Sequence, residues 1–161
     1  MNKKIALQLI KKFVKDLQIG CNIQVKLGDL MECEIADEIV YVDLTEFTNP
    51  DEFKKQAQEY WKQYNEQRGY KTQIHMGTWA ILHEIGHIVA SYDYDDLDET
   101  LENDAFARKV LEMKTYENVK DMLDIYKTLK LEIDADEMAW ALYQANTEIV
   151  IDLDKKLTQL V

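Results

Sequence analysis

Two histidines and a glutamate stand together near the middle of the chain, in the order His83, Glu84 and His87. Residues four apart on a helix lie on one face, one turn from each other. The two imidazoles can therefore bind one tetrahedral zinc ion. Glu84 is offset around the helix, where it can take a proton from a water molecule that the ion activates. The spacing predicts His83 and His87 as zinc ligands and Glu84 as the general base of a hydrolase.

The surroundings of these residues favour a buried functional helix. Residues 79–82 and 88–90 are apolar, and buried histidines without partners would be costly. Gly86 weakens the helix by about 1 kcal/mol, which predicts that another element packs closely against it. The alternative is a helix whose histidines only satisfy hydrogen bonds in the core. His75 stands about 12 Å along a helix from His83, too far for the same ion, so we expect a structural role for it.

Zinc needs a third protein ligand and an open position for water. We expect a carboxylate, and the pair Glu132 and Asp136 lies on one side of a predicted helix, one turn apart. Ala135 and Ala139 on the same side are small enough to admit another helix. Glu132 is predicted to bind zinc, while Asp136 accepts the free N–H of a ligating histidine and fixes its tautomer. The helix has an inward stripe of Val119, Met122, Tyr126, Leu129, Ile133 and Trp140.

Glu102 is the competing third ligand, because it stands closer in sequence to His87. Its neighbour one turn later is Phe106, which cannot accept a hydrogen bond from a ligating histidine. This difference favours Glu132. A further alternative is that Glu132 and Asp136 are ordinary acids on a partly exposed helix.

The first third of the chain predicts one helix and three strands. Apolar residues recur at helical spacing from residue 5 to 17, and Gly20 stands where a C-cap would fall. Residues 22–27, 30–35 and 38–44 have strand character. The third segment is the predicted edge strand, at which an extended peptide substrate could be added.

The rest of the chain predicts helices. Asn49 is expected to cap the first of them, with Pro50 at its first position and Gly69 after its end. Asp96 begins a capping box for a later helix. The predicted helical ranges are 49–69, 73–90, 96–110, 117–145 and 149–160. With no internal repeat or linker, residues 1–161 form one predicted domain of α+β class, with a small antiparallel sheet of about three strands packed by several helices.

The composition restricts the function and the location. The 161 residues include 19 Lys and Arg against 31 Asp and Glu, a formal charge of −12. Such a surface repels phosphate and counts against direct binding of nucleic acid, although acidic solubility alone produces the same balance. Cys21 and Cys33 have no metal-ligand spacing. No apolar run is long enough for export or for crossing a membrane, so the cytoplasm is the expected location.

The segment 83–87, His-Glu-Ile-Gly-His, followed by Glu-x-x-Ala-Asp-x-Met-Ala at 132–139, resembles the gluzincin pattern. Within the gluzincins, the chain is most similar to the ImmA/IrrE-like metallopeptidases of bacteria, phages and mobile elements. It departs from that family at Met138, where an aromatic residue is usual. The resemblance implies a zincin-like domain, and a protein substrate such as the transcriptional repressors that family members cleave.

These observations predict zinc-dependent hydrolysis of a peptide bond in a protein substrate. The alternative is a non-catalytic zinc-binding interaction protein, although structural zinc does not require a base such as Glu84. Tyr92, Tyr94 and Tyr143 could each stabilise the substrate oxyanion, and the sequence does not choose among them.

Overall fold

The computed structural model describes residues 1–113 and 118–160, and shows an α+β fold. The described part contains eight helices and one sheet of three strands. In chain order the elements are α1 (Lys3–Asp16), β1 (Gln24–Leu27), β2 (Glu32–Glu34), β3 (Ile39–Val42), α2 (Thr45–Thr48), α3 (Glu52–Gln67), α4 (Met76–Ser91), α5 (Leu97–Glu112), α6 (Val119–Tyr126), α7 (Lys130–Ala145) and α8 (Thr147–Thr158).

Helix α1 forms as its apolar spacing predicts. Asn2 caps it by accepting a hydrogen bond from the backbone N–H of Ile5. The predicted C-cap is wrong, since α1 ends at Asp16 and its C-cap is Leu17 rather than Gly20. Gln18 already adopts a left-handed φ of 51°, so the chain leaves the helix before the glycine.

The sheet is mixed, with the strand order β1-β3-β2. β3 is parallel to β1 and antiparallel to β2, so the predicted wholly antiparallel sheet is wrong in one of its two pairings. The predicted edge strand, 38–44, is also wrong because β3 is the central strand. Ile39, Val40 and Val42 are buried, and the most apolar strand is the one that neighbours cover on both sides. Glu32 and Glu34 are exposed on β2, as suits an edge.

Helix α3 has a different start from the predicted one. The short helix α2, which the sequence reading missed, ends at Thr48, and Asn49 is its C-cap. Asp51 therefore caps α3, with its Oδ1 2.9 Å from the backbone nitrogen of Lys54. The glycine stop is confirmed, since Gly69 follows the C-cap of α3 with φ +82°.

Helices α4 and α5 begin at side-chain caps. His75 caps α4, its Nδ1 accepting from the N–H of Gly77 at 3.0 Å, which is the structural role expected of it. Asp96 caps α5 by accepting from the N–H of Glu99 at 2.9 Å, as predicted.

The predicted helix 117–145 is two helices, α6 and α7, with a break at residues 127–129. Lys127 is the C-cap of α6, and its side chain turns inward to Asp136. Lys127 and Leu129 are both buried at this break. Glu117 and the side chain of Val119, where this predicted helix and its stripe began, lie outside the described residues.

Helix α4 runs through the core and packs on α7. A Cβ placed on Gly86 would lie 2.4 Å from the carbonyl oxygen of Ala135, and Ala135 and Ala139 are fully buried. The prediction that another element packs closely against Gly86 is confirmed. Among residues 1–113 and 118–160, no helix has the length and hydropathy needed to cross a membrane.

Candidate metal centre

The contact between α4 and α7 brings three side chains together. His83 and His87 project from α4 and Glu132 from the first turn of α7, all buried. His83 Nε2 lies 3.1 Å from one oxygen of Glu132, and His87 Nε2 lies 3.4 Å from the other. One ligand atom from each residue lies within 4.8 Å of the other two. These three residues could hold a metal ion.

The partners of the two ring nitrogens of His83 indicate whether a cation fits between His83, His87 and Glu132. Its Nδ1 lies 2.8 Å from Asp136 Oδ1, so Nδ1 carries the proton of the neutral ring. Its Nε2 lone pair then faces a carboxylate oxygen, and two acceptors at this distance need a proton or a cation between them. Burial lowers the pKa of His83, but Asp136 and Glu132 outweigh burial and raise it to about 10. The site therefore demands positive charge, and two imidazoles with one carboxylate suit zinc.

His87 presents the same nitrogen to the site. Its Nε2 faces Glu132, while its buried Nδ1 has no hydrogen-bond partner within the described structure. The two histidines thus turn the same ring nitrogen towards Glu132.

Asp136 contacts the ring nitrogen of His83 that does not face Glu132, and it also contacts two cationic side chains. It is fully buried, 2.6 Å from Nζ of Lys127 and 3.9 Å from Nη1 of Arg68. Burial raises the pKa of Asp136, but His83 and Lys127 outweigh burial and lower it. Lys127 also lies over the ring of Trp61, 3.9 Å from its centroid. Asp136 thus stays an ionised acceptor with a fixed position.

Glu84 lines a cleft of about 990 Å³ that also reaches both histidines and Glu132. Residues 30–37, which include β2, form one wall of the cleft. Cys33 on that wall lies beside Glu84. Burial raises the pKa of Cys33 above its ordinary value, and Glu84 raises it further. A chain in this cleft would meet Glu84 and the three possible ligands together.

The lining of the cleft also includes two side chains to which sequence reasoning gave no functional role, Arg108 on α5 and Tyr126 on α6. Tyr126 was named there only as part of the inward stripe. Arg108 donates to Glu132 Oε1 at 2.7 Å, and also to the hydroxyl of Tyr126 and to Asp104. Neither residue stands at a motif spacing from His83 or His87. The signal that could have found Arg108 is weak: it is one of two adjacent cations, with Lys109, that follow a strongly acidic stretch.

The rival ligand and the proposed oxyanion donors lie elsewhere. Glu102 is exposed and does not line the cleft. The hydroxyl groups of Tyr92 and Tyr94 donate hydrogen bonds to Glu38 and Asp134, respectively. Tyr143 stacks on Trp140, outside the cleft.

Comparison with protein-family models, with curated proteins and with solved structures gives no match. The resemblance to the ImmA/IrrE-like metallopeptidases therefore rests on residues 83–87 and 132–139 of the sequence.

Proposed function

We propose that this protein is a zinc-dependent metallopeptidase of gluzincin type, similar to the ImmA/IrrE-like metallopeptidases. The observation that supports it most is the approach of the His83 Nε2 to Glu132 at 3.1 Å, with His87 beside them and Glu84 in the same cleft. A structural zinc site would be closed by four protein ligands. Within the described residues, this group has three and borders a cleft.

Bound zinc would polarise the scissile carbonyl and acidify a water molecule. Glu84 would take a proton from the water as the water oxygen bonds to the carbonyl carbon, and the carbonyl π electrons would move to the carbonyl oxygen. As those electrons return, Glu84 would give its proton to the nitrogen while the bond between carbon and nitrogen breaks. One water molecule is consumed, and Asp136 keeps His83 in one tautomer throughout.

The cleft suits an extended protein segment as substrate. The outer edge of β2 has no strand partner within the described sheet, and β2 lines the cleft beside Glu84. A peptide can add to such an edge through backbone hydrogen bonds. We propose β2 in place of β3 as the strand that holds the substrate. By the resemblance, a transcriptional repressor in the cytoplasm is the proposed kind of substrate, with no direct contact to nucleic acid.

Glu84→Gln tests the proposal, because it keeps the shape of the side chain and removes the base. We expect zinc content to stay at the wild-type level while cleavage falls by about 10²- to 10⁴-fold. Cleavage would be read by mass spectrometry on a library of unstructured peptides, and zinc by elemental analysis. Glu102→Gln, at an exposed position of α5, is the matched control and should cleave normally.

The same measurements distinguish the peptidase from the alternative, a non-catalytic zinc-binding interaction protein. Zinc binding by a wild-type protein that cleaves no peptide or protein would favour the non-catalytic interaction protein. Cleavage that survives Glu84→Gln would remove the enzymatic mechanism proposed for Glu84.

A further inference from the structure

Among the described residues, the hydroxyl of Tyr126 accepts a hydrogen bond and donates none. Its oxygen accepts a hydrogen bond from Nη1 of Arg108. Within residues 1–113 and 118–160, no acceptor takes the proton of the phenol itself. Burial and the Glu132 carboxylate raise the pKa of Tyr126, against a lowering by Arg108, so the phenol keeps its proton at neutral pH. Tyr126 is therefore a hydrogen-bond donor in the wall of the cleft.

Arg108 fixes where that donor lies. Its Nη2 donates to Glu132 Oε1 at 2.7 Å, its Nε bonds Asp104, and its guanidinium carbon lies 4.7 Å from the ring centroid of Tyr126. One planar guanidinium thus joins the phenol to a carboxylate of the candidate metal centre. Three contacts leave Arg108 little freedom, so the phenol has a fixed position relative to Glu132. Donation from a cation to the phenol oxygen also polarises its O–H bond.

We propose that Tyr126 is the catalytic residue that donates a hydrogen bond to the substrate oxyanion, and that Arg108 positions and polarises it. The inference rests on the proposed peptidase function. Peptide hydrolysis develops negative charge on the carbonyl oxygen, and a donor placed beforehand stabilises that charge without reorganising. Tyr126 forms no covalent bond and keeps its proton throughout.

Kinetics of Tyr126→Phe give the first test. We expect kcat to fall about 10²- to 10³-fold, as on losing one oxyanion donor, with KM and zinc content near the wild-type values. Tyr94→Phe is the matched control, because it removes a hydroxyl that donates to Asp134 at 2.8 Å outside the cleft. Its kcat should stay at the wild-type value.

Arg108→Gln tests the positioning role. If Arg108 acts through the phenol, Arg108→Gln alone should reduce kcat strongly. The same substitution added to the Tyr126→Phe variant should reduce kcat much less. Independent, additive losses in the double variant would overturn the assignment of Arg108.

Ligand binding gives a second readout that does not depend on turnover. The probe is N-phosphoryl-Leu-Trp, a dipeptide with a tetrahedral phosphoryl oxyanion, compared with planar N-acetyl-Leu-Trp by calorimetry on zinc-loaded protein. We expect Tyr126→Phe to weaken the phosphoryl compound by about the factor lost in kcat and to leave the acetyl compound unchanged.

The outcomes distinguish this inference from the proposed function. A wild-type protein that cleaves peptides, with kcat and phosphoryl affinity unchanged in Tyr126→Phe, overturns the role of Tyr126 alone. Equal losses in Tyr94→Phe, or loss of zinc with kcat, would also overturn it, by showing a structural effect. A wild-type protein that neither cleaves peptides nor binds the phosphoryl compound overturns the peptidase proposal and this inference together.

Discussion

At the scale of single residues, the candidate centre depends on a buried carboxylate that three basic side chains contact. Glu132 is 2% exposed and contacts His83, His87 and Arg108. Burial alone would favour its protonated form, but the two histidines hold the pKa of Glu132 well below its ordinary value. Leaving such a carboxylate unpaired would be strongly destabilising. The contacts therefore keep Glu132 ionised and ready to bind a cation.

The carboxylate substitutions should lower zinc affinity by different amounts, according to the role of each carboxylate at the centre. We expect Glu132→Ala to lower the affinity most, because it removes a charged ligand. Asp136→Ala should lower it about ten- to a hundredfold by releasing His83, and Glu102→Ala should leave it unchanged. Competition with a chromogenic chelator measures all three. Unchanged binding in His83→Ala, or zinc loss in Glu102→Ala but not in Glu132→Ala, would contradict the ligand set.

At the scale of elements, the centre exists because α4 and α7 approach closely. Gly86 on α4 lies against the backbone of Ala135 on α7. This contact is one turn or less from the three possible ligands in both helices. The separation of the helices therefore sets the separation of the ligand atoms.

Gly86→Ala should separate the two helices. The added Cβ would meet the Ala135 carbonyl oxygen, and main-chain atoms cannot rotate away. We expect a loss of about 1–3 kcal/mol in the free energy of unfolding, although alanine favours a helix by about 1 kcal/mol, together with weaker zinc binding. Urea unfolding and chelator competition measure the two effects. Ala135→Gly should not rescue the variant, since the oxygen remains, and a full rescue would refute this explanation.

Asp43 connects β3 with the helices that follow it. Its carboxylate accepts from the N–H and hydroxyl of Thr45, both at 2.8 Å, and from Nζ of Lys54. Burial raises the pKa of Asp43, but Lys54 and Thr45 outweigh burial and lower it from the ordinary 3.8. Its ionised form thus stabilises the fold above that pH, and the stabilisation disappears as pH falls through the lowered folded-state pKa.

Asp43→Asn should therefore destabilise the protein in a pH-dependent way. We expect a loss of about 2 kcal/mol in the free energy of unfolding near pH 7, as for a buried hydrogen bond to a charged group. The difference from the wild type should shrink as the pH falls below the ordinary pKa of Asp. Urea titrations at several pH values would show this. A difference independent of pH would contradict the charge-based explanation.

At the scale of the whole molecule, the three possible ligands join distant parts of the chain. His83 and His87 precede Glu132 by more than forty residues, with α5 and α6 between them. The complete group forms only when the chain is folded. An ion held there would bind the folded state and not the unfolded chain, which links metal binding to global stability.

Zinc should accordingly raise the stability of the wild-type protein. Free zinc at one hundred times its dissociation constant should add about 2.7 kcal/mol to the free energy of unfolding. Thermal or urea unfolding with and without zinc, near neutral pH, measures this. His87→Ala should respond much less. A wild-type protein whose stability does not respond to added zinc would contradict the metal centre.

Local features of the sequence predicted much of the candidate site. His83 and His87 share a helix face by spacing alone, and so do Glu132 and Asp136, so each pair could be read without knowing the fold. The cap of α5 at Asp96 and the end of α3 before Gly69 likewise depend only on residues that are neighbours in the sequence. The need for a close neighbour at Gly86 followed from its poor helix propensity.

Tertiary structure decided which elements meet. The central place of β3, the break at Lys127 and the presence of Arg108 beside Glu132 have no local period that would reveal them. The order of the strands depends on which of their faces neighbouring elements bury. The burial of the Lys127 side chain depends on its contact with Asp136 on another helix. Such contacts join residues far apart in sequence, and their free energy exists only once the chain has folded.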